Sequence, residues 1–135
     1  FSPSVSASVQ ARLFLQTVDF AHGDLPAVLD VEERGKLSAK ELRKRVSQWL
    51  KMVEKRTEKK PIIYSGESYY TDFLKEEFSD YPLWIANYNF WRNHLEDDWL
   101  FWQFTEKAQI QGIEGMVDVN IFNGDKNKLL LKCIR

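Results

Sequence analysis

Asp30 and Glu32 stand at the far end of an apolar run, Pro26-Ala27-Val28-Leu29-Asp30-Val31-Glu32-Glu33. Ala27 to Val31 is short, aliphatic and β-branched, the composition of a buried strand rather than a helix. Alternate side chains of a strand share a face, so the two carboxyls point the same way, roughly 6.5 Å apart along the chain. Like charges near a low-dielectric strand push each other's pKa values apart, which lets one carboxyl keep a proton while the other is ionised. The plainer account is that the strand has ended and the acids are solvated loop. The remaining segments decide between the two.

Four further segments carry polar groups at the ends of apolar runs. Pro61-Ile62-Ile63 leads into Tyr64-Ser65-Gly66, and Tyr81-Pro82-Leu83-Trp84-Ile85-Ala86 leads into Asn87-Tyr88-Asn89. Leu100 to Thr105 includes Trp102 and Gln103, and Met116 to Phe122 alternates through Asp118 and Asn120. All four read as strands. Between them lie helical patterns. Ser4–Val18 has Val5, Val9, Leu13 and Phe14 near helical spacing, with Gln10 and Arg12 between them. Ser38-Ala39-Lys40-Glu41 is a capping-box pattern that opens a helix running to about Thr57, with Leu42, Val46, Trp49, Leu50 and Val53 inward. A short helix is expected over 68–78, and a closing one over 129–134. Asp19 to Asp24 is a loop in which His22 reads as surface, and Trp91 and His94 fall in a loop between the third and fourth strands.

Strand–helix–strand–helix–strand order implies parallel units whose strand C-termini lie along one edge. At that edge the chain offers Asp30, Glu32, Tyr64, Ser65, Asn87 and Tyr88, joined by Gln103, Asp118 and Asn120. In a β/α barrel, polar groups at strand C-termini read as an active site. A full barrel needs roughly 250 residues and eight strands, whereas about five strands are expected in these 135 residues. The expected fold is therefore α/β, an irregular TIM-like β/α barrel of which the chain is the back part. Its first strand would have an open edge, which predicts self-association or complementation by an N-terminal half.

Composition limits the alternatives. A net charge of −1 gives no global field for nucleic acid or an anionic membrane. A single cysteine, Cys133, excludes an internal disulfide and a multi-cysteine metal site. No cofactor is implied, and no cluster has metal-ligand spacing. Five Trp, five Tyr and nine Phe suit a carbohydrate-handling surface and equally an ordinary core.

Taken in order, Leu29-Asp30-Val31-Glu32, Pro61 to Ser65, Pro82 to Tyr88, Phe101 to Thr105 and Gly115 to Phe122 resemble the family 25 glycoside hydrolases, muramidase-type lysozymes of bacteria and phages. The resemblance covers about Phe1 to Gly124. It implies an irregular β/α barrel acting on peptidoglycan at the β-1,4 bond from N-acetylmuramic acid to N-acetylglucosamine, outside the cell or in its envelope. It places the paired acids on Asp30 and Glu32, with Glu32 as proton donor, and a further acid on Asp118. Tyr64 and Tyr88 match the family's tyrosine and aromatic positions. Members also carry an earlier strand with another acid and two more strand units, so residues 1–135 would be a partial catalytic domain.

Glycoside hydrolysis needs one protonated carboxyl at the leaving oxygen and a second group opposite the anomeric carbon. Direct attack by a carboxylate requires separations of about 5–5.5 Å, and assistance by the sugar's own acetamido group is the documented exception. The resemblance favours the assisted, retaining route, with Asp30 or Asp118 orienting the acetamido group. Tyr64, Tyr88, Trp84 and Trp102 are candidates for sugar stacking, although Trp84 and Trp102, lying within strands, suit a core equally. Gln103 and Asn120 complete the candidate binding set. The rival readings are a non-catalytic glycan-binding fragment and a chitinase-like hydrolase.

Overall fold

The alternation of apolar and polar residues at 28–32 becomes strand β1 (Val28–Asp30), with Leu29 and Val31 buried and Asp30 and Glu32 exposed. In a computed structural model, which describes residues 1–89 and 98–134, it is one of five strands in a single sheet. The others are β2 (Ile62–Gly66), β3 (Leu83–Ala86), β4 (Phe101–Ala108) and β5 (Val117–Phe122). They lie in chain order, β1 to β4 parallel and β5 antiparallel to β4. Trp91 and His94 lie outside the described residues.

Among the described residues five helices accompany the sheet: α1 (Ala7–Thr17), α2 (Ala39–Thr57), α3 (Glu67–Phe73), α4 (Lys75–Phe78) and α5 (Lys126–Lys132). The strand–helix–strand units at β1–α2–β2 and β2–α3–α4–β3 account for the parallel pairing, because each helix carries the chain back to start the next strand in the same direction. The fold is thus mixed α/β with a mostly parallel five-stranded sheet. On its outer side β1 pairs with no strand among the described residues, and the backbone nitrogen of Phe1 sits 2.6 Å from the Asp30 carbonyl there.

One sheet face is covered. Leu29 and Val31, Ile63, Leu83 and Ile85 meet Leu42, Val46, Trp49, Leu50 and Val53 of α2, with Ala7 and Ala11 of α1 and Tyr70, Leu74 and Phe78 behind β2 and β3. Ser65 belongs to this face as well. It is fully buried, and its Oγ donates to the Val31 carbonyl at 2.7 Å, tying β2 to the end of β1.

α2 follows the sequence closely, with Ser38 Oγ accepting from the Glu41 backbone N–H and all five expected apolar positions buried. The other half of the capping box is not made, since the Glu41 carboxylate pairs with Arg45 at 3.0 Å. α1 turns only part of its apolar set inward. Val5, Val9 and Leu13 are exposed, while Ala7 and Ala11 are buried and Phe14 packs on Trp49 with ring centroids 5.3 Å apart. The helix has two apolar stripes, and the one with alanines lets its backbone come close to α2. The helix expected over 68–78 is divided at Leu74 into α3 and α4, and the closing helix begins three residues earlier than expected.

Candidate active site

The register sets which residues share the sheet's other face. Asp30 stands opposite Tyr64, Tyr64 opposite Trp84, Trp84 opposite Phe101, and Phe101 opposite Phe122. One step along in the pleat, Gln103 stands opposite Asn120. With side chains alternating along each strand, Asp30, Tyr64, Trp84, Gln103, Asn120 and Asp118 occupy the face away from the helices.

Their contacts bear this out. The Tyr64 ring meets Trp84 edge-on, with centroids 5.6 Å apart at 89°. Trp84 Nε1 donates to Asn120 Oδ1 at 2.8 Å, and its ring packs on Phe101 at 5.3 Å. Gln103 is 5% exposed, and its Oε1 accepts from both Tyr64, at 2.5 Å, and Tyr88, at 3.1 Å. One buried amide oxygen thus ties together tyrosines from the ends of two different strands, and both phenol protons are committed to it.

The carboxylates surround this tyrosine pair. The Glu32 carboxyl is raised above its ordinary value, first by partial burial, then by the negative charge of Asp30 and the hydrogen bond a protonated Glu32 gives it. Tyr64 is strongly raised, chiefly by burial, with Tyr88, Glu32 and Asp30 adding to it. Tyr88 is raised by burial, then by the charges of Glu106, Asp118 and Glu32, against an opposing effect of the neighbouring Tyr64 hydroxyl. A group that feels both Glu32 and Asp118 lies between the two ends of the sheet, so the acids frame a single open face. It offers neighbouring carboxyls backed by aromatic rings and amide groups, a set of groups able to exchange protons with a bound ligand and to pack against it.

Trp102 is placed elsewhere. It alternates to the helix-covered face, packs against the core, and donates from Nε1 to the Asn87 carbonyl at 2.9 Å. Strand parity carries that signal, because Trp102 and Gln103 are neighbours and cannot share a face. Ser65 leaves the site edge by the same rule. Two groups were not singled out from the sequence: Glu106, whose charge acts on Tyr88, and Glu67, whose Oε2 accepts from Asn87 Nδ2 at 2.5 Å. Glu106 follows Gln103 along β4 and was legible as another acid near the end of the strand. Glu67 depends on how α3 leaves β2, which the sequence pattern does not encode.

The sequence profile of glycosyl hydrolases family 25 matches residues 1–113. A family 25 glycosyl hydrolase from Bacillus anthracis superposes with a TM-score of 0.87 at 26% identity, over 98% of this chain and 65% of that one. The protein YegX of Escherichia coli O6:H1 is 65% identical over 132 residues, 96% of this chain and 48% of YegX. Lysozyme M1 of Streptomyces globisporus is 27% identical over 118 residues, 78% of this chain and 40% of that lysozyme. The chain spans about half the length of the curated relatives it matches, or less. With a profile match over most of its length and a sheet that superposes on a family member, the chain belongs to glycosyl hydrolase family 25.

Proposed function

We propose that the protein is a muramidase that hydrolyses the β-1,4 bond between N-acetylmuramic acid and N-acetylglucosamine in peptidoglycan. The observation that carries this reading is the raised Glu32 carboxyl beside Asp30, facing the tyrosine pair held by Gln103. Family membership and the likeness to Lysozyme M1 support the substrate class.

In the mechanism, protonated Glu32 donates to the glycosidic oxygen as the bond to the anomeric carbon breaks. The acetamido oxygen of the same sugar attacks that carbon, giving an oxazolinium that Asp118 or Asp30 orients and stabilises at its N–H. Glu32, now ionised, takes a proton from water as it attacks the anomeric carbon. The ring reopens, and configuration is retained. Tyr64, Tyr88, Trp84, Gln103 and Asn120 form the floor on which the glycan lies. Trp102 supports that floor from behind rather than stacking on sugar.

On this reading the sheet is part of an irregular barrel, and the strand-free outer edge of β1 is where a further barrel strand would pair. Peptidoglycan as substrate puts the site of action outside the cell or in its envelope. The test is Glu32→Gln, which keeps the size of the side chain and removes the acid. Clearing of cell-wall suspensions should fall by about 10²–10⁴-fold, while the variant still sediments with the walls. Near-normal clearing by the variant would sink the assignment. Clearing by neither protein, with wall binding intact, would point to the glycan-binding reading, and preferential cleavage of chitin oligomers to the chitinase-like one.

A further inference from the structure

Asn87 is 6% exposed and sits just past the end of β3, where each of its four polar groups has a partner. Its backbone N–H donates to the Gln103 carbonyl at 3.1 Å, and its carbonyl accepts from Trp102 Nε1 at 2.9 Å. Its side-chain Oδ1 accepts from the Asn89 backbone N–H at 2.8 Å, and its Nδ2 donates to Glu67 Oε2 at 2.5 Å. The Oδ1 bond closes a side-chain turn with Tyr88 at its apex. Tyr88 is 48% exposed and reaches back to Gln103 Oε1 at 3.1 Å. The two ends of the amide therefore do different work, and something must decide which way it is turned.

A carboxylate only accepts, so Glu67 can be satisfied by the NH₂ of Asn87 and not by its oxygen. That leaves Oδ1 for the Asn89 N–H. If the amide were reversed, two oxygens would face each other and the NH₂ would face an N–H. We propose that Glu67 and Asn87 are positioning residues: Glu67 sets the polarity of the Asn87 amide, and the resulting turn holds Tyr88 over the glycan floor. Neither residue touches the reacting atoms. Their effect on glycan binding rests on the muramidase reading, but their effect on Tyr88 does not.

The experiment uses Asn87→Asp, Glu67→Gln with Asn87→Asp, and Glu67→Ala in the full chain, each checked by thermal melting. Asn87→Asp sets two carboxylates against each other and should release the turn. In the double variant the new glutamine amide donates to one oxygen of the new aspartate, and the other aspartate oxygen still accepts from the Asn89 N–H. The bond between the two side chains thus returns with its direction reversed, residue 67 donating and residue 87 accepting, and one negative charge moved across it. Against soluble peptidoglycan fragments, Asn87→Asp should raise KM by about tenfold with kcat little changed, the pattern of lost binding rather than lost chemistry. The double variant should recover most of that loss.

An independent readout is the Tyr88 resonance in protein carrying ¹³Cζ-tyrosine, assigned with Tyr88→Phe. It should move toward the free-tyrosine position in Asn87→Asp and in Glu67→Ala, and return in the double variant. Glu67 lies at the partly exposed start of α3, so Glu67→Ala supplies the reading should Asn87→Asp not fold. An unmoved Tyr88 resonance, or a double variant no better than Asn87→Asp, would overturn the proposal. Absence of peptidoglycan cleavage by the unmutated protein would instead overturn the muramidase reading and leave the resonance to decide this one.

Discussion

At the scale of single residues, the account turns on the different environments of two neighbouring carboxyls. Glu32 is raised by partial burial and by Asp30, so it holds its proton further up the pH scale than an ordinary glutamate. A general acid works only while protonated, so activity should be lost as pH rises through that raised value. Asp30→Asn removes the negative charge that favours protonated Glu32 and leaves only a weaker, neutral amide oxygen as acceptor. The Glu32 pKa must then fall, and the alkaline limb of the kcat/KM–pH profile should move to lower pH. A limb that stays put or moves upward would remove Glu32 from the role of acid or Asp30 from its control. The pairing of these acids was legible because two residues separated by one always share a strand face. Ser65 and Trp102 were less well placed from the sequence. Being next to Tyr64 and Gln103, they alternate to the helix-covered face, one bonding the Val31 carbonyl and the other the Asn87 carbonyl.

At the scale of elements, the strands and α2 follow from their periodicity, and α1 shows where periodicity is ambiguous. Val5, Val9 and Leu13 are the larger residues and mark one stripe; Ala7, Ala11 and Phe14 mark the other. Packing chose the second, since close approach to α2 needs small side chains and the Phe14 ring finds Trp49. Hydrophobicity alone ranks the stripes the other way. The consequence is measurable by urea denaturation. Ala11→Leu should cost about 1–3 kcal/mol through overpacking, whereas Leu13→Ser on the exposed side should lie within about 0.5 kcal/mol of the parent. The reverse order would mean that the first stripe is the buried one. The Glu67–Asn87 contact was beyond sequence reasoning for a related reason. It joins the start of α3 to the end of β3, and its existence depends on the angle at which the chain leaves β2.

At the scale of the whole molecule, α1 to α4 pack on one face of the sheet and the acids, the Tyr64–Tyr88 pair and the amides lie on the other. The parallel order of β1 to β4 brings the strand C-termini together, so groups as distant in sequence as Glu32 and Gln103 act on the same pair of tyrosines. The order of strands and the chemistry at their ends were readable as a pattern of motifs. The antiparallel return of β5 was not read from the sequence, yet it is what carries Asp118 and Asn120 onto the same face. The most direct test of the account is mass spectrometry of the sugar ends released from purified peptidoglycan by the unmutated protein and by Glu32→Gln. The account predicts new reducing-end N-acetylmuramic acid with the unmutated protein and almost none with the variant. Reducing-end N-acetylglucosamine, or equal release by both proteins, would contradict it.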